Sequence, residues 1–166
     1  MTEEQRALRD AVGDAVAGMR PIAAVRGTYD GTDGGGATAS DRWATLARLG
    51  VFGAALPSDA GGAGGTAADA AVAVERCAAA LVPGPVLPTV LAGLVLAGRP
   101  DVEAAAELLP GIADGSTPVG AALAPVPLDV RDGPGGPRVD GAVPAVLGAG
   151  DAPALLLLGA GAPGGG

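Results

Sequence analysis

Residues 56–66 read LPSDAGGAGGT, and an alanine-rich run, AADAAVAVE, follows directly at Ala67. The stretch has two physical readings. Gly62-Ala63-Gly64-Gly65-Thr66-Ala67 fits the pattern G-x-G-x-x-[G/A], in which main-chain N–H groups and a helix N-terminus cradle a pyrophosphate. Alternatively, the glycines only let the chain turn between two packed segments. Three features oppose the first reading. Pro57, Ser58, Asp59 and Ala60 interrupt the extended piece before the glycines. No acidic residue stands about 20 positions on to hold a ribose. Helical patterns lie on both sides, where the motif needs strand, turn and helix. A second match, Gly159-Ala160-Gly161-Ala162-Pro163-Gly164, follows the strand-like ALLLL, but no helix pattern comes after it. The loop is therefore read as a turn inside a helical domain.

Helical signals surround that turn. Thr2 and Gln5 form a capping box, and Leu8, Ala11, Val12, Ala15, Val16 and Met19 then repeat at helical spacing. Pro21 is expected to end this helix or to follow its end closely. The glycine-rich stretch 26–40 reads as a loop. A second helix starts at Ser40 or Asp41 and carries Trp43, Leu46, Ala47 and Leu49 on its apolar face. Gly50 occupies a left-handed terminating position, and Val51 and Phe52 fold back on the last turn. Residues 51–56 then read as extended. Thr66 and Asp69 form another capping box for a helix over 67–81, expected to be central because most of its residues are apolar. Pro83, Pro85 and Pro88 break the chain. Thr89 caps a helix to about Ala97, and Asp101 caps a fifth to about Leu109.

After Pro110 glycine, proline and valine dominate. Short apolar runs at 118–124, 138–140, 143–147 and 154–158 predict strands, and the glycine-rich tail 159–166 predicts disorder. The fold class is therefore α+β, an all-helical bundle over residues 1–113 followed by a partial β-barrel unit over 114–166.

Composition removes several functions. Aromatics are 2% of the chain, so the core must be built from closely packed Ala, Val and Leu. The formal charge is −8, which opposes a nucleic-acid partner and a polybasic membrane patch. The 166 residues contain no histidine, so His-dependent triads and His metal ligands are excluded within this sequence. Cys77 is the single cysteine; it forms no internal disulfide or thiolate metal cluster and is read as a small core residue. No metal ligands are assigned. No signal sequence or membrane-length apolar run is read, and a cytoplasmic location is expected.

Taken in order, TEEQRALRDAV, WATLARLGVFGAALPSDAGGAGGTAADAAVAVE, ALVPGPVLPTVLA, ELLPGIADGS and RVDGAVPAVLGAGDAPALLLL resemble the N-terminal part of the acyl-CoA dehydrogenase family, in its divergent actinobacterial branch. The resemblance spans most of residues 2–158. It implies a helical domain, a middle β-barrel and a C-terminal four-helix bundle, with FAD held between barrel and bundle, partly by a neighbouring subunit. It also implies an oxidoreductase of lipid metabolism, in which a glutamate takes the α-proton of an acyl-CoA thioester and flavin takes the β-hydride. In that family the glycine loop joins two helices and is not the principal flavin site. The acyl pocket is walled partly by the helical domain, which nominates Val90, Leu91 and Leu94.

The sequence departs from the family at the places that touch flavin. The bundle with its usual glutamate is not matched, and neither Glu75 nor Glu107 lies in a corresponding motif, so no catalytic residue is assigned. Where the family has Thr-Glu-Pro followed by Gly-Ser-Asp, this chain reads AALAPVPLD over 121–129, keeping only Pro125 and Asp129. Leu123 and Ala124 could contact FAD through main-chain groups only. The family's Trp-x-Thr or Trp-x-Ser aligns with Ala145 and Leu147. These losses predict that the chain does not hold FAD by itself. Three functions stay open: a truncated acyl-CoA dehydrogenase; a component of a heteromer whose partner is a homologous acyl-CoA dehydrogenase subunit, with acyl-CoA as a possible substrate; and an interaction module without FAD.

Overall fold

The computed structural model describes residues 1–19, 21–30, 38–150 and 152–159. Six helices come first: α1 (Glu3–Gly18), α2 (Pro21–Asp30), α3 (Ala39–Arg48), α4 (Ala67–Ala79), α5 (Val86–Ala97) and α6 (Glu103–Ala113). A short 3₁₀ turn, Ser58–Ala60, precedes the glycine loop. Four short strands follow: β1 (Val119–Ala121), β2 (Leu128–Arg131), β3 (Arg138–Gly141) and β4 (Ala154–Leu156). The result is a helical unit followed by two small sheets, an α+β arrangement with no closed barrel among the described residues.

Both predicted capping boxes form. The Thr2 hydroxyl accepts from the Gln5 N–H, and the Gln5 side chain accepts from the Thr2 N–H. Thr66 and Asp69 make the same reciprocal pair ahead of α4. A third box, Thr38 with Asp41, starts α3 two residues before the expected cap. Gly50 takes the left-handed conformation expected of it (φ 73°).

Several elements differ from the sequence reading, and proline accounts for some of the differences. Pro21 follows the end of α1 closely, as expected, and also opens α2, because a residue at the first helical position needs no N–H partner. The expected loop over 26–40 is helical to Asp30; its part 31–37 lies outside the described residues. Pro88 sits in the first turn of α5 for the same reason, so the helix starts at Val86 and Thr89 is not its cap. Pro110 lies inside α6, which runs on to Ala113. Asp101 does not cap α6 but pairs with Arg99 at 3.1 Å. The 51–56 stretch is a series of turns rather than extended chain. Pro144 lies in the expected 143–147 strand, where only Leu147 is bridged, to Ala121. β2 is an addition: Asp129 and Arg131 hide its alternation.

The core has two parts. One joins Val12, Val16 and Met19 of α1, Leu46 of α3, Val51, Phe52, Ala70, Ala73 and Cys77 of α4, and Val86 and Val90 of α5. The other joins Leu56, Ala92 of α5, Ala105, Leu109, Ile112 and Ala113 of α6, and Val119 of β1. α5 is thus the wall between them, buried on two faces, whereas α4 buries one. That assigns the central position to α5 instead of the helix expected from composition. Gly93 of α5 packs closely on the second part, where a Cβ would stand 3.1 Å from Ile112 and from Leu56. Full burial of a side chain such as Phe52 or Leu46 contributes about 1.5–3 kcal/mol.

β1 pairs in parallel with β4, Val119 opposite Ala154 and Ala121 opposite Leu156. β2 and β3 form a separate antiparallel hairpin, Leu128 opposite Gly141 and Arg131 opposite Arg138. None of the described helices is long and apolar enough to cross a membrane.

Candidate functional site

The geometry of the glycine loop settles the opening question. Each of its amides is already spent. Gly61 N–H donates to Ser58 O, Gly62 to Pro57 O, Ala63 to Gly53 O, Gly64 to Leu56 O and Gly65 to Ala54 O, all within 2.8–3.1 Å. Thr66 N–H donates to the Asp69 carboxylate at 2.6 Å. Between Gly61 and Thr66 no amide is left to face an anion. The helix end that would attract a phosphate carries a carboxylate instead, held below its ordinary pKa by the Thr66 N–H, the Thr66 hydroxyl and the Gln5 amide. The glycines are required for close backbone approach. A Cβ on Gly62 would stand 2.1 Å from the Leu56 carbonyl oxygen, and one on Gly65 2.5 Å from that of Ala54. Of the second glycine match, Gly159 bridges Val126 and the remaining residues lie outside those described.

A different place carries the best candidate site. Beyond β1, residues 121–126 run against 144–147 and enclose a groove of about 280 Å³. Its walls are Ala121, Leu123, Ala124 and Val126 on one side and Pro144, Ala145, Val146 and Leu147 on the other. The walls are held by reciprocal hydrogen bonds between Ala121 and Leu147, at 3.0 and 2.9 Å. Beyond them, Ala122 N–H donates to Leu156 O and Val126 N–H to Leu158 O. The N–H groups of Leu123 and Ala124 have no acceptor among the described residues. The same holds for the N–H groups of Ala145 and Val146 on the other wall. No lining side chain can be a base, a hydrogen-bond donor or an aromatic stacking partner.

The comparisons with known proteins identify the chain. The profile of the acyl-CoA dehydrogenase N-terminal domain matches residues 2–116. The chain belongs to the acyl-CoA dehydrogenase family. It is 44% identical over 104 residues to the acyl-CoA dehydrogenase FadE34 of Mycobacterium tuberculosis, covering 58% of this chain and 14% of that protein. It is 41% identical over 123 residues to the acyl-CoA dehydrogenase IpdE2 of the same organism, covering 69% of this chain and 36% of the relative. The chain therefore spans well under half the length of these curated relatives. A solved structure, a variant of the Tcur3481-Tcur3483 steroid ACAD, superimposes with a TM-score of 0.78 at 26% identity, over 93% of this chain and 44% of that one.

Set against the acyl-CoA dehydrogenase pattern, the groove contains the positions expected to meet flavin. Leu123 and Ala124 lie on one wall and Ala145 and Leu147 on the other. Sequence reasoning placed these four but missed Val126, Pro144 and Val146; the clustering of apolar residues around Pro125 and Pro144 was the available signal. The groove does not fit a flavin held by this chain alone, because its lining side chains are all apolar and only main-chain groups remain as polar handles. Of the three residues nominated for the acyl pocket, Val90 is buried in the first core cluster, Leu94 packs against it and Leu91 is half-buried; none lines this groove or a second one. The second groove, of about 270 Å³, lies between the 3₁₀ turn, the end of α5 and α6, with Asp59 among its linings. Glu75 and Glu107 are exposed and line neither. Among the described residues no cluster could hold a metal ion.

Proposed function

We propose that this chain is one component of an acyl-CoA dehydrogenase acting in the cytoplasm on a lipid-derived acyl-CoA. In this reading the assembly performs α,β-desaturation, an oxidoreductase step on a CH–CH bond, and a homologous acyl-CoA dehydrogenase subunit brings the base and most of the FAD contacts. Residues 1–113 act as the helical domain, with α5 residues Val90, Leu91 and Leu94 behind the acyl pocket, and residues 114–166 form part of the β domain. The observation that carries the reading is the groove at 121–126 and 144–147: its walls are the segments that the family resemblance assigns to flavin-facing strands, yet it offers no polar side chain. The two-protein name of the Tcur3481-Tcur3483 steroid ACAD supports a paired assembly.

Co-expression with a longer homologue tests this. The expected result is a stable two-chain complex that contains flavin and oxidises an acyl-CoA, neither of which the chain does alone. A complex that forms without flavin would favour the second reading, a non-catalytic interaction subunit without FAD, which the wholly apolar groove also suits. Failure to form any complex would overturn both.

A further inference from the structure

The two walls of the groove are short, and the strand that carries the first is only three residues long. Three residues of ladder cannot set the spacing of a binding surface unaided. Both walls instead rest on the first turn of α5. On the first wall, Thr89 is fully buried. Its hydroxyl accepts from the Val119 N–H at 3.0 Å and donates to the Val119 carbonyl at 3.4 Å. Val119 opens β1, two residues before groove-lining Ala121. On the second wall, Gly148 follows Leu147 with φ +71°. A Cβ there would stand 2.6 Å from Pro85 Cβ, 3.0 Å from Pro85 Cα and 3.3 Å from Pro88 Cγ.

We propose that Thr89 is a positioning residue for the groove, and that the α5 turn Pro85–Thr89 is the template that sets the distance between its two walls. The hydroxyl anchors one wall by hydrogen bonds, and the proline pair anchors the other by contact with a glycine. A buried threonine hydroxyl in an otherwise apolar helix is costly unless it is fully paired, and Val119 supplies both partners. What the groove holds rests on the function proposed above; how its walls are set does not.

Amide exchange of the purified chain, without cofactor or partner, tests the proposal apart from that function. Thr89→Val keeps the shape and removes the hydroxyl; Thr89→Ser keeps the hydroxyl. Thr89→Val is expected to speed exchange at Ala121 and Leu147 by about tenfold, leaving Ala63 and Gly65 in the glycine loop unchanged, and Thr89→Ser to restore most of the protection. Unchanged exchange at Ala121 and Leu147 in Thr89→Val, or equal loss in Thr89→Ser, would overturn it. Should Thr89→Val loosen the whole molecule, Gly148→Ala decides: faster exchange at Leu147 with the glycine loop unchanged supports the template, and unchanged exchange at Leu147 refutes it.

Discussion

The indole N–H of Trp43 donates a 2.7 Å hydrogen bond to the carbonyl of Gly115, joining α3 to the segment that leads into β1. The same indole stacks on Phe52, centroids 4.3 Å apart. Gly115 has φ +78°, and a Cβ there would stand 2.9 Å from both Ala47 and Phe52. Trp43→Phe keeps a ring but leaves the carbonyl unpaired, and is expected to cost about 1 kcal/mol in urea unfolding. Gly115→Ala meets both crowding and an unfavourable φ, and is expected to cost more, about 2 kcal/mol. A Gly115→Ala protein as stable as the parent would show that this junction is loose.

The glycine loop offers a paired comparison. Gly62→Ala places a methyl against the Leu56 carbonyl and is expected to lose about 3 kcal/mol. Gly18, at the end of α1, has nothing within 4 Å of its Cβ position. Gly18→Ala is expected to gain about 0.5–1 kcal/mol by lowering the entropy of the unfolded chain. Calorimetric melting of the two variants checks the signs, which should be opposite.

Asp69 gives the fold a dependence on acid. Its pKa is lowered from 3.8 by the Thr66 N–H first, then the Thr66 hydroxyl and the Gln5 amide. A carboxyl depressed in the folded state contributes stability above its unfolded pKa and loses it as pH falls through the folded value. The parent should therefore lose stability below about pH 3.8 more steeply than Asp69→Asn, measured by urea midpoints across that range. Parallel curves would remove Asp69 from the account. Thr66→Ala, which deletes the cap hydroxyl, is expected to cost about 1 kcal/mol at neutral pH.

Cys77 is buried in the first core cluster, and burial pushes its thiol up to about 11. A disulfide reagent at mildly alkaline pH should label it only through unfolding, at a rate that rises with urea. Rapid labelling of the native protein would contradict the packing of α4 against α1.

Much of the helical unit was legible because its signals are local. The Thr2–Gln5 and Thr66–Asp69 boxes and the left-handed Gly50 each depend on residues within one turn. Pro88 misled for a physical reason: it lies in the first turn of α5, where no N–H partner is needed, so a residue type that breaks a helix can also start one. The role of Thr89 was illegible because its partner, Val119, is thirty residues away. The glycine loop was read correctly as a turn, but the carbonyls of Gly53, Ala54 and Leu56 that consume its amides emerge only from the fold. At the groove, only the family resemblance singled out Leu123, Ala124, Ala145 and Leu147, and the Ala121–Leu147 pairing that brings the two segments together emerges only from the fold.

The central claim is that this chain lacks the side-chain contacts to retain flavin by itself. Titration of the purified chain with FAD, followed by gel filtration and the flavin absorbance of the protein peak, tests it most directly. The account predicts a colourless protein peak. A peak carrying close to one flavin per chain would contradict it.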